Sequence, residues 1–210
     1  MSVDLVLFDL DDVLVDYSRE VRCRTLGERI DRSADAVHAV LFASGLEAEA
    51  DHGRIDTAGV ARALSTVLET SVTIADCVAA RAAAMTPRPA VLALVDALAG
   101  RCGRAILTNN GRLVRDHFDA LCPAFAPHFA GRVRCSGEFG GCKPDPVVYL
   151  RCAEALAVDP ARVLFVDDRE ENVDGARRAG MMGHPYRSPA SLHAALAALG
   201  LLPESPAHVP

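Results

Sequence analysis

Four short polar stretches hold the residue types that could do chemistry: Asp9 and Asp11, Thr108 and Asn109, Lys143 ahead of Pro144, and Asp167 with Asp168. Residues two apart on an extended chain point the same way, so Asp9 and Asp11 can face one crevice. Two carboxylates there can divide the work of a nucleophile and of a group that gives and takes a proton. An isolated D-x-D also serves as an acidic turn at a strand end, and the pair alone does not choose between the two. Asp167 and Asp168 tip the balance, because three or four carboxylates in one crevice repel unless a cation lies between them. Oxygen donors point to Mg²⁺, which uses one or two carboxylates together with a substrate phosphate, and no Cys or His stands at these positions to suit zinc.

Thr108 adds a hydroxyl, and a helix start soon after it would add amides suited to an anion; the alternative is that Thr108 only caps that helix. All but one of the 22 basic residues are arginine, Lys143 being the exception. A chain that uses arginine elsewhere keeps here a compact ammonium, which a planar guanidinium does not imitate; the alternative is an ordinary loop charge. A phosphate held by Mg²⁺, Thr108, local amides and Lys143 would have its charge largely balanced, so that an anionic carboxylate can approach it.

These stretches must be positioned by the elements around them. Apolar β-rich runs at 3–8, 104–108 and 163–166, with weaker ones at 131–135 and 183–186, read as strands. Helical spacing recurs at 90–99, up to about 121, from Pro144 to about 157, at 172–179 and from Ser188 to about 199. The alternation predicts an α/β fold, a parallel sheet flanked by helices, which binds ligands at the carboxyl ends of its strands. From about 17 to 85 no such strand occurs; alanine-rich stretches at 34–43, 57–68 and 74–84 are helical in spacing, so this segment is expected to be a helical insert. Residues 203–210 read as a loose tail.

Half of the 210 residues are apolar and 24% are charged, as expected of a globular domain with a smaller insert. A net charge of -6 without a basic stripe argues against a nucleic-acid partner. The apolar runs fall far short of the roughly 18 residues of a membrane helix. The opening Met-Ser-Val-Asp lacks the basic start of a secretory or transit peptide, so a cytoplasmic location is expected. Seven widely spaced cysteines, an odd number, read as free thiols. The expected partner is a small-molecule phosphate ester, and the expected state a monomer or homodimer.

The stretches resemble, in order, the four motifs of haloacid dehalogenase-like hydrolases, in the phosphatase branch with a helical cap. Asp9-Leu10-Asp11-Asp12-Val13-Leu14 resembles the first, Ile106-Leu107-Thr108-Asn109 the second, Ser136 through Lys143 to Tyr149 the third, and Phe165 to Asn172 the fourth. The resemblance implies a Rossmann-like core of residues 1–15 and 88–202 with an inserted α-helical cap of residues 16–87. It further implies Asp9 as the nucleophile that forms an aspartyl-phosphate, Asp11 as acid and then base, and Thr108, Asn109 and Lys143 as phosphate-binding groups. Mg²⁺ would be held by the Asp9 carboxylate, the Asp11 backbone carbonyl and Asp168, with Asp167 in support.

Two residues depart from the family pattern: Asp12 stands where glycine is usual, and Asn172 where many relatives carry a second acid. Residues 52–64 are similar to caps of sugar-phosphate phosphatases of the glucose-1-phosphatase kind, where Arg54 could meet a second anionic group or simply be a solvated charge. The expected activity is Mg²⁺-dependent hydrolysis of a small phosphate monoester, a sugar phosphate among the candidates. The alternatives are a phosphomutase, a 2-haloacid dehalogenase, which needs neither Asp11 nor Mg²⁺, and a non-catalytic phosphometabolite-binding module.

Overall fold

A computed structural model describes residues 2–204, so the expected tail lies outside the described residues from 205 onward. Strand β1 (Leu5–Phe8) occupies the centre of a five-stranded parallel sheet completed by β4 (Gly103–Thr108), β5 (Val133–Cys135), β6 (Val163–Asp167) and β7 (Met182–Pro185), in the order β5-β4-β1-β6-β7. Strands of a parallel sheet covered on both faces must be apolar at every position. In β1, Leu5 and Leu7 join Ala105, Leu107, Val163 and Phe165 on one side, while Val6 and Phe8 join Ile106, Leu164 and Val166 on the other. The chain steps from β1 to β4 on one flank and later to β6 on the other, so the crevice opens at the carboxyl end of β1.

Between β2 (Val15–Tyr17) and β3 (Met85–Pro87) lie α1 (Arg19–Ile30), α2 (Ala34–His38) continued by a π-helical turn, α3 (Leu46–Asp51), α4 (Thr57–Val67) and α5 (Ile74–Ala83). They bury an apolar cluster of their own, with Leu26, Val37, Leu41, Leu64 and Ala80 at its centre. Helix α1 was not anticipated, because its many charges mask the i, i+3, i+7 spacing of Cys23, Leu26 and Ile30. Ser18 caps it by accepting from the Val21 amide at 3.2 Å. The two ends of the helical insert pair as an antiparallel ribbon, β2 against β3, with Asp16 opposite Thr86.

The remaining helices are α6 (Pro89–Ala97), α7 (Arg112–Asp116), α8 (Phe118–Leu121), α9 (Pro146–Ala155), α10 (Glu170–Arg178) and α11 (Pro189–Ala198). Helix α9 starts two residues later than expected, because the Asp145 carboxylate accepts from the Val147 amide at 3.0 Å and Pro146, not Pro144, takes the first helical position. The helix expected after Thr108 is two short helices meeting at His117, with Gly111 rather than Thr108 at the start of the first. Thr108 is therefore no helix cap. Among the described residues no helix is long and apolar enough to cross a membrane. The seven cysteines are all free thiols, as expected.

Candidate active site

Asp9 directly follows β1, Thr108 ends β4 and Asp167 ends β6, so three neighbouring parallel strands deliver their polar residues to one crevice. The Asp9 amide donates to the Val166 carbonyl at 2.8 Å, and the Asp9 Oδ1 accepts from the Leu10 amide at 2.7 Å. Lys143, with its side chain 1% exposed, places Nζ 2.9 Å from Asp9 Oδ1 and 2.7 Å from Asp167 Oδ2. The single lysine is thus no surface charge. Burial alone would depress its ammonium, but Asp9 and Asp167 outweigh it and hold the pKa above the usual lysine value.

Asp167 is fully buried and its carboxylate is fully engaged: Lys143 on one oxygen, the Arg169 amide at 2.9 Å on the other, and Asn172 Nδ2 at 3.0 and 3.1 Å. Asn172 therefore does more than remove a charge, since its side chain orients Asp167. Asp168 is only half-buried and lines the cavity. One carboxylate oxygen each from Asp9, Asp167 and Asp168 lie within 4.8 Å of one another. Three acids against one ammonium leave an excess of negative charge, which a divalent cation would balance. The burial of Asp9 pushes its carboxyl well above the ordinary range, with Lys143 pulling the other way. Burial, then Asp167 and Asp12, raise Asp168 in the same direction. The donor set thus fits Mg²⁺ on charge and on ligand type.

Asp11 lines the same cavity, but its carboxylate lies outside that trio. Arg81 of α5 donates through Nη2 to both Asp11 oxygens at 2.7 Å, and Asn110 Nδ2 donates to Oδ2 at 3.0 Å. Asn110 also donates to Thr108 Oγ1 at 2.6 Å, tying the first two strand ends together. Asn109 lines the cavity, yet its amide spans the Lys143 backbone, Nδ2 donating to the carbonyl and Oδ1 accepting from the amide, both at 2.9 Å. It positions the lysine loop. Asp12 has φ +60°, the left-handed region that favours glycine, and its amide donates to the Val15 carbonyl at 2.7 Å.

The cavity holds about 600 Å³, in the range of small-molecule sites, and the helical insert forms its other wall with Tyr17, Phe42, Glu47, Asp51 and Arg81. None of these five was anticipated. Buried Arg22 pairs with Glu47 and donates to the Tyr17 hydroxyl at 3.2 Å, while the Arg81 guanidinium stacks 3.8 Å over the Tyr17 ring. Arg54 is not part of this wall: it lies at the surface, paired with Glu49 at 2.7 and 2.8 Å.

A stretch of 79 residues is 40% identical to the phosphatase MT3486 of Mycobacterium tuberculosis, covering 38% of this chain and 36% of that protein. A stretch of 67 residues is 40% identical to flavin mononucleotide hydrolase 1 of Arabidopsis thaliana, covering 32% of this chain and 27% of that protein. The chain thus aligns with less than two fifths of the length of either relative. Among solved structures, a HAD family enzyme of Bacteroides thetaiotaomicron superposes with a TM-score of 0.72 at 20% identity, over 89% of this chain and 95% of that one. At that identity the likeness speaks for the fold, a Rossmann-like α/β sheet. The family match itself runs over residues 3–180 and takes in every strand-end group from Asp9 to Asn172, so the chain belongs to the haloacid dehalogenase-like hydrolases.

Proposed function

We infer that this hydrolase is a Mg²⁺-dependent phosphatase acting on a small phosphate monoester through a phosphoryl-Asp9 intermediate. The observation that carries the reading is the trio Asp9, Asp167 and Asp168 clustered at the ends of adjacent strands, with the Lys143 ammonium bridging the first two. One named relative is a phosphatase and the other a flavin mononucleotide hydrolase, and the Bacteroides enzyme of the same fold has been crystallised with magnesium and inorganic phosphate. Asp9, Asp168 and the Asp11 carbonyl would hold the ion. Bound there, Mg²⁺ supplies positive charge that keeps Asp9 ionised and offsets the phosphate.

Asp9 attacks phosphorus, forming an O–P bond as the ester O–P bond breaks, and Asp11 gives its proton to the departing oxygen. Asp11 then takes a proton from water as that water attacks phosphorus, releasing phosphate and restoring Asp9. Arg81 and Asn110 fix the Asp11 carboxylate, while Thr108 and Lys143 hold the phosphoryl group. The helical segment acts as a cap, with the β2–β3 ribbon as its attachment. Asp11 favours this reading over dehalogenation, since attack on a carbon–halogen bond needs no proton donor for the departing halide.

Phosphate release from a panel of sugar phosphates and an aryl phosphate, with and without Mg²⁺, tests the assignment. Asp9→Asn is expected to lower kcat by about 10⁴-fold or more, and chelation to abolish release. Activity that survives either treatment contradicts the scheme.

A further inference from the structure

A third carboxylate follows Asp9 and Asp11 at the end of β1, and the reaction gives it no task. Asp12 is exposed and lines the catalytic cavity together with Asp168. Arg88 meets Asp12 only at its backbone carbonyl, through Nη1 at 2.6 Å, and gives Nε and Nη2 to Asp16 at 2.9 and 2.6 Å. The Asp12 carboxylate thus has no ion pair among the described residues. Asp168 has none either, since Lys143 pairs with Asp9 and Asp167, and Arg169 with Glu171.

Two costs attach to this arrangement. Asp12 holds φ +60°, where a side chain is strained and glycine would make the same turn freely. Its charge also reaches across to Asp168, whose carboxyl burial and Asp167 already raise and Asp12 raises further. Like charges facing one cavity repel, and a cation between them turns the repulsion into attraction. A phosphate or an anionic leaving group would gain nothing from Asp12, so a cation is the partner that this charge suits. Asp12 lies outside the group of carboxylates whose oxygens gather within 4.8 Å, so its contribution is the field it adds and not a ligand atom.

We propose that Asp12 sets how tightly the catalytic cavity holds its divalent cation, acting by charge across the cavity and not by coordination. The inference rests on the phosphatase reading, which puts Mg²⁺ at Asp9 and Asp168, and adds to it the residue that tunes the affinity of that site. Affinity for a hard cation rises with the negative charge that faces it, which is what Asp12 supplies.

Mn²⁺ takes the same oxygen donors as Mg²⁺, and the paramagnetic resonance signal of the free ion counts what is unbound without any turnover. It is titrated into the full chain without substrate. Asp12→Asn removes the charge and keeps the turn, because asparagine tolerates the left-handed region. Its Kd is expected to rise about three- to tenfold, less than for a group bonded to a metal ligand, because an exposed charge is screened. Asp12→Gly should match it, and Asp12→Glu, which restores the charge, should return Kd to within about twofold of the native value. The gap between native protein and Asp12→Asn should narrow as salt is raised. Asp168→Asn should abolish binding. The Mg²⁺ concentration that half-saturates phosphate release from p-nitrophenyl phosphate should move by the same factor as Kd.

Equal Kd values for the native protein and Asp12→Asn overturn the proposal and leave the phosphatase reading in place. Weak binding by Asp12→Gly beside native-like binding by Asp12→Asn also overturns it, because the turn and not the charge would then be at work. Should one neutral variant fail to fold, the salt dependence of the other separates charge from turn. A native protein that binds no ion, or whose binding survives Asp168→Asn, overturns the metal site of the phosphatase reading and the role of Asp12 with it.

Discussion

The two walls of the cavity are built to opposite rules. On the strand-end wall, Asp167 has every oxygen engaged, Lys143 is shared between two carboxylates, and Asn109 and Asn110 lock neighbouring loops together. On the helical wall, Arg81 and Asp51 hold buried polar atoms with no partner. The satisfied wall is preorganised for a step that needs fixed charge, whereas the helical wall leaves buried polar atoms unpaired. In the proposed reading the sheet end supplies the reaction, and the helices form the wall that faces it.

Removing one cation from each wall should separate the two by the widest margin. Lys143→Met strands two buried carboxylates and is expected to cost about 3–5 kcal/mol in chemical denaturation, along with turnover. Arg81→Met should cost less, because Asp11 is partly exposed and keeps its bond from Asn110, and because two orphaned donors leave with the guanidinium. Equal costs would mean that the helical wall is as tightly determined as the other.

Asp51 makes the helical wall sensitive to pH. Its carboxyl is raised to about 8 by burial and by Glu47, against about 4 in the unfolded chain. The folded state therefore holds a proton that the unfolded state has lost between those values, and the contribution of Asp51 to stability falls as pH rises through that window. Asp51→Asn removes the loss. Melting temperatures should show the variant gaining on the native protein from pH 5 to pH 9, and a constant difference would contradict the assignment.

The smallest effect belongs to the strand-end wall. Asp12 bears a side chain at φ +60°, so Asp12→Gly should stabilise the protein by about 0.5–1 kcal/mol after allowing for the looser unfolded chain. A destabilised variant would show that the Asp12 side chain does something that its turn does not require.

The difference between the walls also explains what could be read from the residues alone. Asp9, Thr108 and Asp167–Asp168 were legible because each sits at the end of a short apolar run, and a parallel sheet brings such ends together whatever their separation in sequence, whereas Lys143 stood out as the one lysine among 22 basic residues. The strands of the parallel sheet came through for the same reason, the β2–β3 ribbon did not, and helix boundaries moved with local capping, as Asp145 moved the start of α9. Arg81 lies 70 residues from the carboxylate it grips, inside an alanine-rich helix where nothing marks one arginine among many. Arg54 drew attention instead, and its partner Glu49, five residues away, keeps it at the surface. Asp51 and Glu47 share a face only because α3 is a helix docked over the crevice. Groups delivered by packing between segments leave no periodic trace.

Capture of phosphorus by Asp9 is decided in the Asp11→Asn variant. An aryl leaving group departs without a proton donor, while the water that would release the phosphoryl group has lost its base. Acid-quenching that variant with p-nitrophenyl phosphate and Mg²⁺, then mapping peptides by mass, should find a phosphoryl group on Asp9. Phosphate on another residue, or continued turnover by Asp9→Asn, would contradict the account.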